Sequence, residues 1–79
     1  MSQERILVAD DEPGYLQFIR AVLRAARYEV ATVADGEAAV EAAAAQAPTL
    51  SVLDVRMPRL DGYAACRRIR EFSRCPLLC

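Results

Sequence analysis

The sequence contains no histidine and no lysine, so all ten of its basic residues are arginines. Histidine is the commonest metal ligand and a frequent general base. The chain also lacks a nucleophile elbow and a glycine-rich phosphate loop. We therefore expect no independent catalytic enzyme, and any metal site must be built without imidazole.

Other features are missing as well. The net charge is -1 and the arginines are dispersed, which gives no electrostatic footprint for nucleic acid. No apolar run approaches the roughly 18 residues of a membrane span. The N-terminal stretch "MSQERILV" lacks the basic start and long apolar region of a signal peptide. These absences predict a cytoplasmic protein with no membrane or nucleic-acid partner. The cysteines, Cys66, Cys75 and Cys79, are odd in number and are expected to be reduced core thiols.

Two apolar runs of the sequence end in acidic residues. The run at 6–9 is followed by Asp10 and Asp11, and the run at 50–54 ends on Asp54. The carboxyl ends of parallel strands meet at one edge of a sheet, so these carboxylates are expected to converge. Clustered carboxylates repel one another unless a cation lies among them, and oxygen ligands favour a hard ion. The pattern predicts a site for Mg²⁺, with Mn²⁺ as an alternative.

The acidic residues also have plainer explanations. Asp54 could end its strand simply because aspartate is a poor strand former and turn residues follow it. Asp10 and Asp11 could serve only as acids at the start of a helix, where the helix dipole favours them. For Glu12 this stabilising role is preferred over a role as a ligand.

Strand and helix patterns alternate along the chain with short connections. This order predicts a single α/β domain with a parallel sheet and helices on both faces. An Asp35-Gly36 turn is expected before the alanine-rich helix, and Asp61 is expected to cap the next one. The predicted strands cover residues 6–9, 28–33 and 50–54, and a fourth begins at 76. The predicted helices cover residues 13–26 and 61–73, and the alanine-rich helix between them ends at 47.

The blocks "VADDEP", "ADGEAAVEA", "LSVLDVRMPRLDGYAACRRIRE" and "CPLL" resemble consecutive parts of a response-regulator receiver domain over essentially the whole chain. The resemblance implies a flavodoxin-like fold and a role in two-component signalling. It implies that Asp54 accepts a phosphoryl group from a histidine kinase or phosphotransfer protein. It also implies that Asp11 binds Mg²⁺ directly, that Asp10 reaches the ion through water, and that the backbone carbonyl of Arg56 is a further ligand.

The sequence departs from the family after the start of the fourth strand. A receiver domain ordinarily continues through another helix, a fifth strand and a fifth helix, so residues 1–79 resemble a single, partial receiver domain. The Ser or Thr at the end of strand four and the lysine at the end of strand five, which contact the phosphoryl group in the family, have no counterparts here. The alternative to phosphotransfer is therefore a truncated interaction or dimerisation module.

An incomplete receiver fold is expected to associate. With the family's strand order two-one-three-four-five, residues 76–79 would form an unpaired sheet edge. The missing last helix would leave a sheet face lined by Ile6, Val8 and Val52 partly bare. These two apolar surfaces predict a homo-oligomer.

Overall fold

A computed structural model describes residues 4–54, 61–74 and 76–78 of the chain. Strands and helices alternate in this part of the sequence, as the hydrophobic pattern predicts. The elements are β1 (Arg5–Ala9), α1 (Pro13–Ala25), β2 (Glu29–Val33), α2 (Gly36–Gln46), β3 (Leu50–Leu53), α3 (Gly62–Arg70) and β4 (Leu77–Leu78).

The strands form a four-stranded parallel sheet in the order β2-β1-β3-β4. The central strand β1 pairs Val8 with Thr32 of β2 and with Val52 of β3. This order places the ends of β1 and β3 side by side, so the residues that follow these two strands are neighbours. The predicted parallel α/β fold and its strand order are confirmed.

The main hydrophobic core lies between the sheet and the helix pair α2 and α3. Leu7 and Leu53 supply the sheet side, and Ala39, Ala65 and Ile69 supply the helix side. All five are at most 2% exposed. The small side chains of the alanines at this interface suit the packing of α2 against α3.

Helix α1 lies on the other face of the sheet and packs against β2. Alternation along β1 turns Ile6 and Val8 to this face, and they are 6% and 0% exposed. The expectation of a partly bare sheet face is therefore wrong for Ile6 and Val8, whereas Val52, the third residue expected there, is half-buried. The exposed apolar surface lies instead on α1, where none of the residues is buried.

Side chains cap the start of each helix. Glu12 accepts a hydrogen bond from the N–H of Gly14, Asp35 from that of Ala38, and Asp61 from that of Ala64. The capping role predicted for Asp61 and the stabilising role predicted for Glu12 are confirmed. Asp35 caps α2 directly, because Gly36 is already the first helical residue, and the expected separate turn is not formed.

Two expectations for α3 need correction. The helix ends at Arg70, about three residues earlier than predicted, and Phe72 beyond it is 50% exposed instead of in the core. Cys66 is disulfide-bonded, so the prediction of a reduced thiol is wrong for this residue, whereas Cys75 and Cys79 lie outside the described residues. None of the helices in the described part of the chain has the length and apolarity of a membrane span.

Candidate functional site

The backbone places Asp10 and Asp54 at the same edge of the sheet. The N–H of Asp54 donates to the carbonyl of Ala9 at 2.9 Å, and the N–H of Asp10 donates to the carbonyl of Val33 at 3.1 Å. These bonds extend the pairing of the strands by one residue beyond the last residues of β1 and β3. The sheet therefore fixes the backbone from which both carboxylates project.

The carboxylates of Asp10, Asp11 and Asp54 converge as predicted. One carboxylate oxygen from each residue lies within 4.8 Å of the other two. Asp10 and Asp54 are half-buried and Asp11 is exposed. Two acids thus line the floor of the site, and the third lies at its solvent side.

Hydrogen bonds hold the loop between β1 and α1 in shape. The Oδ1 atom of Asp10 accepts a bond from the N–H of Glu12 at 2.9 Å. Glu12 in turn uses its Oε1 atom to accept from the N–H of Gly14 at 3.1 Å. Glu12 is therefore the cap of α1. Asp11, between Asp10 and Glu12, is the exposed acid of the site.

The donor set fits a small, hard cation. Mg²⁺ binds oxygens at about 2.1 Å, so two of its ligands lie at most about 4.2 Å apart. Separations within 4.8 Å come close to this limit, and small side-chain rotations would close the difference. The predicted further ligand, the carbonyl of Arg56, lies outside the described residues, as do Met57 and Pro58.

Comparison with known proteins identifies the family of this chain. Residues 6–79 match the family model of the response regulator receiver domain. The chain belongs to this family. Receiver domains are modules of two-component response regulators, so the resemblance seen in the sequence is confirmed.

Relatives of this receiver domain include longer regulators. The chain is 41% identical over 78 residues to "Probable transcriptional regulator ycf27" of Cyanophora paradoxa, covering 99% of this chain and 33% of that protein. It is 40% identical to the alkaline phosphatase synthesis transcriptional regulatory protein PhoP of Bacillus subtilis, over 86% of this chain and 28% of that protein. The chain spans about a third of the length of these curated relatives.

A solved receiver domain shares the fold of this chain. The receiver domain of the sensor histidine kinase PA1611 from Pseudomonas aeruginosa PAO1 is 39% identical to this chain, with a TM-score of 0.90. The match covers 96% of this chain and 65% of that one. That domain holds a magnesium ion coordinated in its active site cleft. The likeness confirms the flavodoxin-like receiver fold.

Proposed function

We propose that this receiver domain binds Mg²⁺ through Asp10, Asp11, Asp54 and the backbone carbonyl of Arg56, and accepts a phosphoryl group on Asp54. The observation that supports this proposal is the convergence of the carboxylates within 4.8 Å at the carboxyl ends of two neighbouring strands. Of the three acids, Asp54 is the one that follows β3 directly, which is the position of the family's acceptor.

The chemistry required of Asp54 is a nucleophilic displacement at phosphorus. A carboxylate oxygen of Asp54 attacks the phosphorus of a phosphohistidine, the phosphorus–nitrogen bond breaks, and its electron pair returns to the imidazole. The product is an acyl phosphate on Asp54. A bound Mg²⁺ would offset the repulsion between the anionic carboxylate and the anionic phosphoryl group. Asp10 and Asp11 serve to hold that cation beside the acceptor.

The partner in this proposal is a histidine kinase or a phosphotransfer protein in the cytoplasm. Residues 1–79 act as one domain in the transfer.

Intact-mass spectrometry after incubation with acetyl phosphate and Mg²⁺ tests the acceptor. The unmodified chain should gain one phosphoryl group, and Asp54→Asn should gain none. Asp61→Asn is the matched control, because it changes another aspartate to an amide that still caps α3, and it should be phosphorylated like the unmodified chain. An adduct that persists in Asp54→Asn would overturn the assignment, and so would phosphorylation that proceeds equally in EDTA.

A second candidate function is an interaction or dimerisation module, and the surface of α1 favours it. Tyr15, Phe18 and Val22 are 40%, 65% and 47% exposed, and their spacing places them along one side of the helix. Contiguous apolar surface of this kind is uncommon in monomers. Among the described strands, the short strand β4 is the last in the sheet order, beside β3. A second copy of the chain could cover both surfaces, so we propose a homo-oligomer.

Sedimentation equilibrium at micromolar concentration tests this association. Phe18→Ser should weaken the dimer by about tenfold or more, because truncation of a central apolar anchor commonly has such an effect. Tyr63→Ser is the control, since Tyr63 is equally exposed, at 62%, but lies on α3 on the opposite side of the sheet. A folded monomer at all concentrations, or equal weakening by both substitutions, would contradict the proposal.

A further inference from the structure

A second concave site lies at the end of the sheet opposite the acidic cluster. It is an open cleft with a volume of about 640 Å³, which is typical of sites for small molecules. Arg5 and Glu29 are the first residues of β1 and β2, whereas the acidic residues follow the ends of β1 and β3. The cavity is lined by Arg5, Arg20, Arg24, Tyr28, Glu29, Val30 and Gln46.

Arginines dominate the lining of this cavity. The guanidinium of Arg5 is held in place, because its Nη1 donates to the carbonyl of Gln46 at 3.0 Å and its Nη2 to Oε1 of Glu29 at 3.4 Å. These bonds use two of the five N–H donors of a guanidinium group. Arg5 thus offers further donors in a fixed position.

Arg20 and Arg24 lie one turn apart on α1 and face the same cavity. Within the described part of the chain, neither forms an ion pair, whereas Arg5 pairs with Glu29. Like charges at this spacing repel each other and destabilise a helix. An anion in the cavity would remove this repulsion, and guanidinium groups bind phosphate oxygens in a bidentate manner.

The helix dipole gives a partial alternative explanation of these arginines. Arg24 lies in the last turn of α1, where a positive charge is favoured. The effect is confined to about the last turn, so it does not account for Arg20. The C-terminal ends of α1 and α2 also carry partial negative charge, about half a unit each. Three guanidinium groups outweigh these partial charges and the carboxylate of Glu29, so the cavity remains positive.

We propose that this cavity binds a phosphate-bearing small molecule, with Arg5, Arg20 and Arg24 contacting the phosphate oxygens. Tyr28 adds a hydroxyl donor and an aromatic surface at the rim, and Val30 adds the apolar wall. The site is independent of phosphorylation at Asp54, because none of its lining residues belongs to the acidic cluster. The ligand's phosphate could be inorganic or part of a nucleotide.

Isothermal titration calorimetry with inorganic pyrophosphate and, separately, with ADP tests the proposal. EDTA in the buffer keeps the acidic cluster free of cations, so that it repels anions. The unmodified chain should bind at least one probe, and the double variant Arg20→Gln and Arg24→Gln should bind it at least about tenfold more weakly. Tighter binding of ADP would assign a nucleotide, and equal binding would assign recognition of the phosphates alone.

The double variant Arg68→Gln and Arg74→Gln is the matched control, because it removes the same charge from exposed positions outside the cavity. It should keep the affinity of the unmodified chain. Equal weakening by both double variants would show unspecific attraction and overturn the proposal, as would a lack of binding by the unmodified chain.

Amide chemical shifts of the unmodified chain provide a readout that does not depend on how the variants fold. Addition of the bound probe should shift the amide signals of Arg5, Arg20, Arg24 and Tyr28 and leave those of α3 in place. Shifts confined to the loop after β1 would place the anion at the other end of the sheet and exclude this site.

Discussion

The carboxylate of Asp10 accepts a hydrogen bond from the backbone N–H of Glu12, with 2.9 Å between Oδ1 and the nitrogen. One oxygen of Asp10 therefore shapes the loop that leads into α1. The other oxygen remains for a cation. One oxygen is sufficient for a residue that is expected to reach the ion through water. Asp10 thus links the geometry of the proposed metal site to the start of the helix.

Substitutions of Asp10 should separate these two roles. Asp10→Asn keeps the Oδ1 acceptor for Glu12 but removes the charge, so it should weaken Mg²⁺ binding with little loss of stability. Asp10→Ala removes both and should also lower the free energy of unfolding in EDTA, by about 1 kcal/mol, as expected for one hydrogen bond. Denaturant unfolding in EDTA and Mg²⁺ titration measure the two effects. Equal stability of the two variants would contradict a role in the loop.

Mg²⁺ should stabilise the folded chain, since only the folded state brings the carboxylates together. At a concentration ten times the dissociation constant, the gain is about 1.4 kcal/mol. This gain should raise the unfolding midpoint by about 5 to 10 °C in a domain of this size. Differential scanning calorimetry with and without Mg²⁺ provides the measurement.

Asp11→Asn should change the unfolding temperature both in EDTA and in Mg²⁺. In EDTA the variant should unfold at a higher temperature than the unmodified chain, because one of three neighbouring negative charges is gone. In Mg²⁺ it should gain little, because the exposed ligand is lost. If the variant responds to Mg²⁺ as strongly as the unmodified chain does, the proposed site is wrong.

Ile69, near the end of α3, and Phe72, just beyond it, should differ sharply in their contribution to stability. Ile69 is fully buried in the core, so Ile69→Ala should cost about 2 to 5 kcal/mol. Phe72 is 50% exposed, and Phe72→Ala should cost less than about 1 kcal/mol although it removes a larger side chain. Urea unfolding of the pair checks this contrast. Similar losses for both would mean that Phe72 packs in the core.

Arg27 adopts a left-handed backbone conformation, with φ of 73°, just after α1. Its N–H donates to the carbonyl of Arg24, and the N–H of Tyr28 donates to that of Leu23, which is the pattern of a Schellman cap. Glycine adopts this conformation without steric cost. Arg27→Gly should therefore be more stable than Arg27→Ala by about 1 kcal/mol.

The comparison of glycine with alanine at position 27 isolates the contribution of the backbone conformation to the free energy of unfolding, since both variants lack the arginine side chain and its contacts. Thermal unfolding of the two variants side by side is the measurement. An alanine variant as stable as the glycine variant would show that the left-handed conformation carries no steric cost at this position.

The sequence by itself determined the order of the elements and the location of the acidic site. Apolar runs separated by short turns specify parallel strands joined by helices, and a residue that follows such a strand must lie at its carboxyl edge. Asp10, Asp11 and Asp54 therefore converge for reasons that are local to each strand end. The roles proposed for these residues come from the resemblance to the receiver family, because geometry alone does not assign them.

Only the tertiary structure decided which apolar surfaces are covered. The periodicity of α1 and β1 identifies an apolar face on each, but it does not say which neighbour lies against that face. In the fold Ile6 and Val8 are buried, whereas Phe18 stays exposed. The tertiary packing also forms the cavity lined by Arg5, Arg20 and Arg24. These arginines are dispersed along the chain, and only the packing of α1 against the start of the sheet brings their charges together.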